Sequence, residues 1–249
     1  MITLLTDFGT ADGYVGEMKG VLASRAPGVP VVDIAHDVPP QDVEAGRLTL
    51  ARYWRRFPEG TVHMAVVDPG VGSDRAALVV ESLGRWLVGP DNGLLSPALL
   101  MPGARVARLP VPDGASPTFH GRDVFAPAAA ALASGADLEA IGEPFGDPIV
   151  RRTPEPRRLG PGTVEGEVIT IDRFGNCVTN LMAPRGGTVS VNGRELGPVR
   201  RTYVDAPRGE PAALTGSTGL VEIAVREGSA AAVLGLRRGE RVVLRAPRT

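Results

Sequence analysis

Val66-Val67-Asp68-Pro69-Gly70-Val71-Gly72-Ser73-Asp74-Arg75 joins an apolar run to a turn that presents Asp68 and Arg75. From Val62 to Val67 the residues are β-branched or apolar apart from His63, the composition of a buried strand, and Pro69, Gly70 and Gly72 end it. Asp68 therefore stands at a strand exit. In open α/β sheets ligands bind beyond the carboxyl ends of the strands, so an acid there is a candidate site residue. A plainer reading stands beside it: an Asp before Pro-Gly starts a turn, and Asp68 with Arg75 is an ordinary ion pair bracing the loop.

Upstream, Ile2 to Thr6 reads as a short strand that delivers Asp7 at a second exit. A helix follows from about Asp12 to Arg25, burying Val15, Met18 and Leu22, with Asp12 as its expected cap. Val31 to Ala35 is the next strand, and a helix from about Gln41 to Phe57 turns Val43, Gly46, Leu50 and Trp54 inward. Strand, helix, strand, helix, strand predicts an α/β domain with a mainly parallel, helix-covered sheet. His36 and His63 are isolated, with no partner at ligand spacing, and read as structural.

Downstream, Ala77 to Val80 and Trp86 to Val88 are short strands, and Asn92-Gly93 marks a tight turn. His120 differs from the other histidines because it precedes an Ala-rich helix, in a loop with Gly121 beside it, where a side chain can face a cleft. Residues 151–162 are charged and Pro-rich without apolar period, and read as a linker between a domain at 1–150 and one at 163–249. The second is read as a smaller, barrel-like all-β domain: 163–171, 189–194, 219–225 and 241–245 suit strands, and only 229–236 suits a helix. Asp172, Phe174, Asn176 and Asn180 gather at one strand end, as a base-stacking set or as a Gly-Asn turn with a core Phe. Gly216-Ser217-Thr218-Gly219 is a loop whose amides can approach a ligand closely.

Composition narrows the partners. With 249 residues and a formal charge of −1, the chain has no global basic field for nucleic acid or an anionic membrane. A single cysteine, Cys177, excludes an intrachain disulfide, and neither a leader nor a long apolar span is read, so a soluble cytoplasmic protein is expected. No dinucleotide or P-loop glycine fingerprint, no H-E-x-x-H and no Cys/His cluster occurs.

Taken together, LTDFGTADGYVGEMKG from Leu5, DIAHDVPPQD from Asp33, VVDPGVGSDR from Val66, GPDNGLLS from Gly89, TFHGRDVFAP from Thr118, FGNCVTN from Phe174 and the tail around Gly216 to Ala232 resemble one family. It is the S-adenosylmethionine hydrolases, or hydroxide adenosyltransferases, sisters of the fluorinase and chlorinase. The resemblance implies attack of water or hydroxide on ribose C5′ of S-adenosylmethionine, giving adenosine and L-methionine, with no cofactor and no metal. It implies that Asp68, Arg75 and His120 hold the nucleophile, with Asp68 and His120 both open as the base. It places Asp7 on the ribose diol, Asp12 and Tyr14 near the methionine end, and Phe174 on adenine, with Asp172, Asn176 and Ser217 on the amino acid portion. It also implies a homotrimer whose sites are shared between subunits.

Three departures from the fluorinase stand out. Thr218 replaces an Arg, Gln41 replaces a Trp, and His120-Gly121 replaces a Tyr-Ser pair whose hydroxyl donates to fluoride. The chlorinase also has Gly at this last place. A halide-using sister enzyme and a silent binder of S-adenosylmethionine or adenosine are the competing readings.

Overall fold

In the computed structural model, which describes residues 1–247, the chain divides after Arg152 into two units. The first runs β1 (Ile2–Thr6), α1 (Tyr14–Arg25), β2 (Val31–Ala35), α2 (Val43–Tyr53), β3 (Val62–Val66), β4 (Ala77–Ser82), β5 (Arg85–Pro90), α3 (Ser96–Leu99), β6 (Arg105–Leu109), α4 (Ala126–Ala133), α5 (Leu138–Ile141) and β7 (Glu143–Pro144). The strands form one sheet in the order β2-β1-β3-β5-β4-β6-β7.

Alternation along the strands divides the core. Ile2 and Leu4 of β1 and Val62, Met64 and Val66 of β3 join one apolar cluster with residues of α1 and α4. Leu5, Ala65 and Val67 join another, with residues of α2 and α3, as side chains of period two must. Gly46 of α2 lies against β3 so closely that a Cβ there would meet Val67 Cγ2 at 3.0 Å and Leu94 Cδ1 at 2.9 Å.

The sheet is mixed rather than mainly parallel. β1, β2, β3 and β5 pair in parallel, whereas β4 runs antiparallel to both β5 and β6, and β6 antiparallel to β7. The cause is the two-residue connection Leu83-Gly84, with φ of 48° and 68°, the left-handed pair of a tight hairpin turn. A left-handed Leu is uncommon, so this hairpin is not legible as one.

Two helix starts also differ from expectation. Asp12 does not cap α1, whose cap is Gly13 at φ 81° with no side-chain bond. Gln41 lies outside α2, at φ 65°, and Asp42 caps it by accepting from the Ala45 amide at 3.0 Å.

The second unit runs β8 (Arg157–Gly160), β9 (Thr163–Ile171), β10 (Cys177–Met182), β11 (Thr188–Val191), β12 (Arg194–Pro198), β13 (Pro211–Thr215), β14 (Leu220–Val225), α6 (Ala230–Leu234) and β15 (Arg241–Arg245). Its antiparallel sheet, ordered β12-β11-β15-β9-β10-β14-β13, is barrel-like and nearly closed, with a single bridge from Arg200 to Leu214 between its ends. Part of the expected linker is β8, which pairs with β9. The β11–β12 hairpin turns on Asn192 and Gly193, both left-handed at φ 50° and 76°. Among the described residues no helix is long and apolar enough to cross a membrane.

Candidate active site

Asp68 leaves β3, Arg75 precedes β4, and His120 arrives 45 residues later, yet the three side chains meet. Arg75 Nε donates to Asp68 Oδ1 at 3.0 Å while Nη2 donates to Asp68 Oδ2, a forked pair with side-chain exposures of only 9% and 4%. The same Nη2 reaches His120 Nδ1 at 2.9 Å. Arg75 Nη1 donates to the Ala76 carbonyl at 3.3 Å, and its guanidinium lies 5.4 Å from the centre of the buried Phe125 ring. The guanidinium is thus fixed on several sides.

The state of His120 follows. A guanidinium donates and never accepts, so Nδ1 must be the acceptor, and the neutral ring carries its proton on Nε2. Burial first, and Arg75 second, hold His120 below the ordinary histidine range, against opposing pulls from Asp68 and Asp123. The ring is neutral at physiological pH.

Neighbouring turns brace this centre. Asn92 Nδ2 donates to the Val67 carbonyl at 2.8 Å, and the Asp91 amide to the Ala76 carbonyl at 2.9 Å, so the Asp-Asn-Gly turn grips the chain beside both Asp68 and Arg75. Gly72 is required where the loop meets the segment leading to His120. Its φ is 79°, and a Cβ there would fall 2.4 Å from the Pro117 carbonyl oxygen. His120 then opens a π-type turn, Gly121–Phe125, ahead of α4.

At the exit of β1, Asp7 Oδ2 accepts from the Gln41 amide at 2.8 Å. The left-handed backbone of Gln41 aims that N–H, a contact with no signature in the sequence. Phe8, Tyr14 and Phe119 form an edge-to-face trio with centroids 5.3 to 6.1 Å apart. Tyr14 is 47% exposed and Asp12 is exposed. A Cβ on Gly121 would meet Met18 Sδ at 3.0 Å, Phe8 at 3.3 Å and Phe119 at 3.4 Å, so this glycine is packed from three sides.

In the second unit Asp172 spends its oxygens on its own turn. Oδ1 accepts from the Phe174 and Asn176 amides and Oδ2 from Asn176 Nδ2, all at 2.9 Å. Phe174 is 76% exposed rather than a core ring. Ser217 is exposed on the turn between β13 and β14. Asn180 is turned to structure, its Oδ1 accepting from Glu167 N and its Nδ2 donating to the Pro154 carbonyl, both at 2.8 Å. Tyr203, which sequence reasoning missed, brings its hydroxyl within 3.5 Å of both Asn176 Nδ2 and Glu222 Oε2. Its separation of 27 residues from Asn176 left no local signal. Among the described residues no group of three or more His, Cys, Asp or Glu side chains is placed to hold a metal ion.

A carboxylate and a guanidinium at neighbouring strand ends, joined to an imidazole at the head of a helical segment, in a mixed-sheet domain followed by an antiparallel barrel-like one, define a two-domain protein with a built polar centre. Residues 2–142 match the SAM hydroxide adenosyltransferase N-terminal domain and residues 166–243 its C-terminal domain. The chain belongs to the S-adenosylmethionine hydroxide adenosyltransferase family. It is 50% identical to an (R)-S-adenosyl-L-methionine hydrolase of Thermus thermophilus, over 96% of either chain. A fluorinase of Actinopolyspora mzabensis stands further off, 30% identical over 96% of this chain and 95% of its own. The solved structure of an uncharacterized conserved protein from Thermotoga maritima superposes with a TM-score of 0.89 at 33% identity, covering 98% of this chain and 99% of that one.

Proposed function

We propose that the protein hydrolyses S-adenosyl-L-methionine to adenosine and L-methionine, and that Asp68, Arg75 and His120 hold the attacking water. Family membership supports the reaction, and the observation that carries the mechanism is the single Arg75 nitrogen donating to both Asp68 and His120. The water oxygen bonds to C5′ as the C5′–S bond breaks, and its electron pair leaves on sulfur. The sulfonium departs as a neutral thioether, so the leaving group needs no proton and the reaction needs no metal or cofactor.

Water is the weak partner, with a bulk pKa of about 15.7. A neighbouring cation shifts a pKa by roughly 1 to 3 units, far too little to make hydroxide at neutral pH. Most of the acceleration comes from holding a desolvated oxygen in line with the C5′–S bond, where orientation supplies roughly 7 to 11 kcal/mol. His120 cannot take the proton on Nδ1 without surrendering Arg75, because that lone pair is already used. Asp68 keeps spare lone pairs beyond its two Arg75 bonds, so it receives the proton as attack proceeds, and solvent then carries it away.

Substrate contacts complete the reading. Asp7 takes the ribose diol, Asp12 and Tyr14 lie toward the methionine end, and Phe174 stacks on adenine, which its exposed ring supports. Asp172 and Asn176 shape the turn that presents Phe174, and with Ser217 they border the amino acid portion. The working state is a cytoplasmic homotrimer in which a neighbouring subunit completes each site. Halide attack is disfavoured because the carboxylate of Asp68 repels an anion and accepts from water.

The test is turnover in isotopically labelled water with saturating chloride or fluoride. Adenosine carrying the solvent oxygen at C5′ is expected. A 5′-halo-5′-deoxyadenosine as main product would establish the sister reaction, and binding without turnover would establish a silent binder.

A further inference from the structure

We propose that His36 is a positioning residue for Asp7, and that Asp33 and Lys19 hold His36 for that task. The proposal rests on the assignment of Asp7 to the ribose diol.

Thr6 and His36 occupy neighbouring strand exits. Leu5 of β1 pairs with Ala35 of β2 after a register shift, which brings the next residues, Thr6 and His36, side by side. Thr6 is fully buried and His36 is 7% exposed. The Asp33 carboxylate only accepts, so the Nε2 that faces it carries a proton, and in the neutral ring Nδ1 is the acceptor. The Phe8 amide donates to Thr6 Oγ1 at 3.3 Å, so the Thr6 hydroxyl is free to donate to His36 Nδ1, 2.8 Å away. With Nδ1 accepting, the ring proton sits on Nε2 and is donated to Asp33 Oδ1 at 3.0 Å. Lys19 Nζ closes the series by donating to Asp33 Oδ2 at 2.5 Å. Lys19 is the one lysine of the sequence.

The same histidine grips the backbone beyond Asp7, since its carbonyl accepts from the Gly9 amide at 2.7 Å. Asp7 is thereby bracketed, with Thr6 on one side and Gly9 on the other both tied to His36. The amide of Gln41, five residues past His36 and just beyond Pro39-Pro40, donates to Oδ2 at 2.8 Å. Oδ1 is left to meet a ligand. A carboxylate that must accept from two adjacent hydroxyls needs its plane set before the ligand arrives, and the two ties to His36 together with the Gln41 amide set it.

The readout is the ratio of affinities for adenosine and 2′-deoxyadenosine, measured by calorimetry on the full-length protein. A bond from a hydroxyl to a charged carboxylate corresponds to roughly 10- to 100-fold in binding. Asp7→Asn tests the underlying assignment and is expected to collapse the ratio. His36→Leu is expected to lower it at least fivefold, and Lys19→Met, on the exposed end of the series, about two- to threefold, with recovery in Lys19→Arg. A purely structural role would weaken both nucleosides alike and leave the ratio intact. Collapse in Asp7→Asn with an unchanged ratio in both His36→Leu and Lys19→Met overturns the positioning role alone. An unchanged ratio in Asp7→Asn overturns the ribose assignment and the proposal with it. If His36→Leu fails to fold, Lys19→Met and its Lys19→Arg rescue decide the matter.

Discussion

Asp68 and Asp172 are both carboxylates at strand ends, and they are held in opposite ways. The oxygens of Asp68 are bound by a side chain, Arg75, in a site where both are nearly inaccessible to water. Those of Asp172 are bound chiefly by amides of its own turn, which lifts Phe174 into solvent. Under the proposed function the difference separates two tasks. Chemistry on a weak nucleophile wants charges fixed and dry before substrate arrives, whereas gripping a flat base wants an apolar ring left uncovered on a stiff turn.

The sharpest way to break this comparison is to cut the first centre. Arg75→Ala leaves the Asp68 carboxylate without its cation, a change that costs about 3 to 5 kcal/mol when such a pair is buried. Asp68→Asn and His120→Gln are gentler. We expect each to slow adenosine release by roughly 100- to 1,000-fold, the scale of removing one preorganised group, with adenosine affinity changed only slightly. Equal losses in turnover and in affinity would show that the centre binds rather than reacts.

A second, somewhat smaller effect distinguishes the units by pH. All three histidines, and both tryptophans, Trp54 and Trp86, lie in the first unit. His63 is fully buried against Thr3, Tyr53 and Phe57, and burial first, then Arg85, push it down to about 4. The unfolded chain therefore takes up a proton before the folded one does. The stability tied to a neutral His63 is complete above pH 6.5 and is lost as pH falls from there to about 4, by roughly 3 kcal/mol in all. His120, shifted the same way, adds to it. Tryptophan fluorescence in denaturant series should follow this loss, and His63→Leu should flatten it. A pH dependence unchanged in His63→Leu would remove His63 from the account.

These buried groups also mark where the sequence stopped being legible. Strands β1 and β15 and the inward residues of α1 follow from local apolar pattern, and the structure has them at the expected positions. Asp68 and Arg75 share one short loop, so their pairing was readable. His120 was singled out by its setting, but its bond to Arg75 spans 45 residues and no local pattern encodes it. The mixed sheet escaped because its reversal rests on a left-handed Leu83, and the orientation of Asp7 escaped because it depends on the backbone of Gln41. Strand β10 contains the polar Thr179 and Asn180, both buried, which interrupts the apolar alternation that identifies a strand.

The other side of the comparison is sharpened at Phe174. Its ring is exposed, so Phe174→Ala should leave thermal stability within about 0.5 kcal/mol of the parent. Loss of a stacking ring should still weaken adenosine by roughly 1 to 3 kcal/mol, or about 5- to 150-fold. Calorimetric titration beside a melting curve separates the two quantities. A variant that melts much earlier, or binds adenosine as the parent does, would place the ring in the fold rather than on the ligand.

The smallest effect is expected at Gly121, and it tests what selects the nucleophile. A serine there would supply the hydroxyl that the fluorinase resemblance associates with fluoride, and it is tempting to expect halide chemistry from it. The packing argues otherwise. A Cβ on Gly121 meets Met18 Sδ at 3.0 Å and two phenyl rings at 3.3 and 3.4 Å, so the neighbours must give by a few tenths of an ångström. The Met18 thioether can yield, which puts the cost at roughly 1 kcal/mol. The charge beside the nucleophile is unchanged by that substitution, because Asp68 stays paired with Arg75, and a second anion brought against its carboxylate gains nothing from one added hydroxyl. Gly121→Ser should therefore still release adenosine bearing solvent oxygen under saturating fluoride or chloride, at a rate within about tenfold of the parent. Chromatography of the nucleoside products decides it: 5′-fluoro-5′-deoxyadenosine as the main product would show that residue 121, and not the carboxylate of Asp68, determines what attacks C5′.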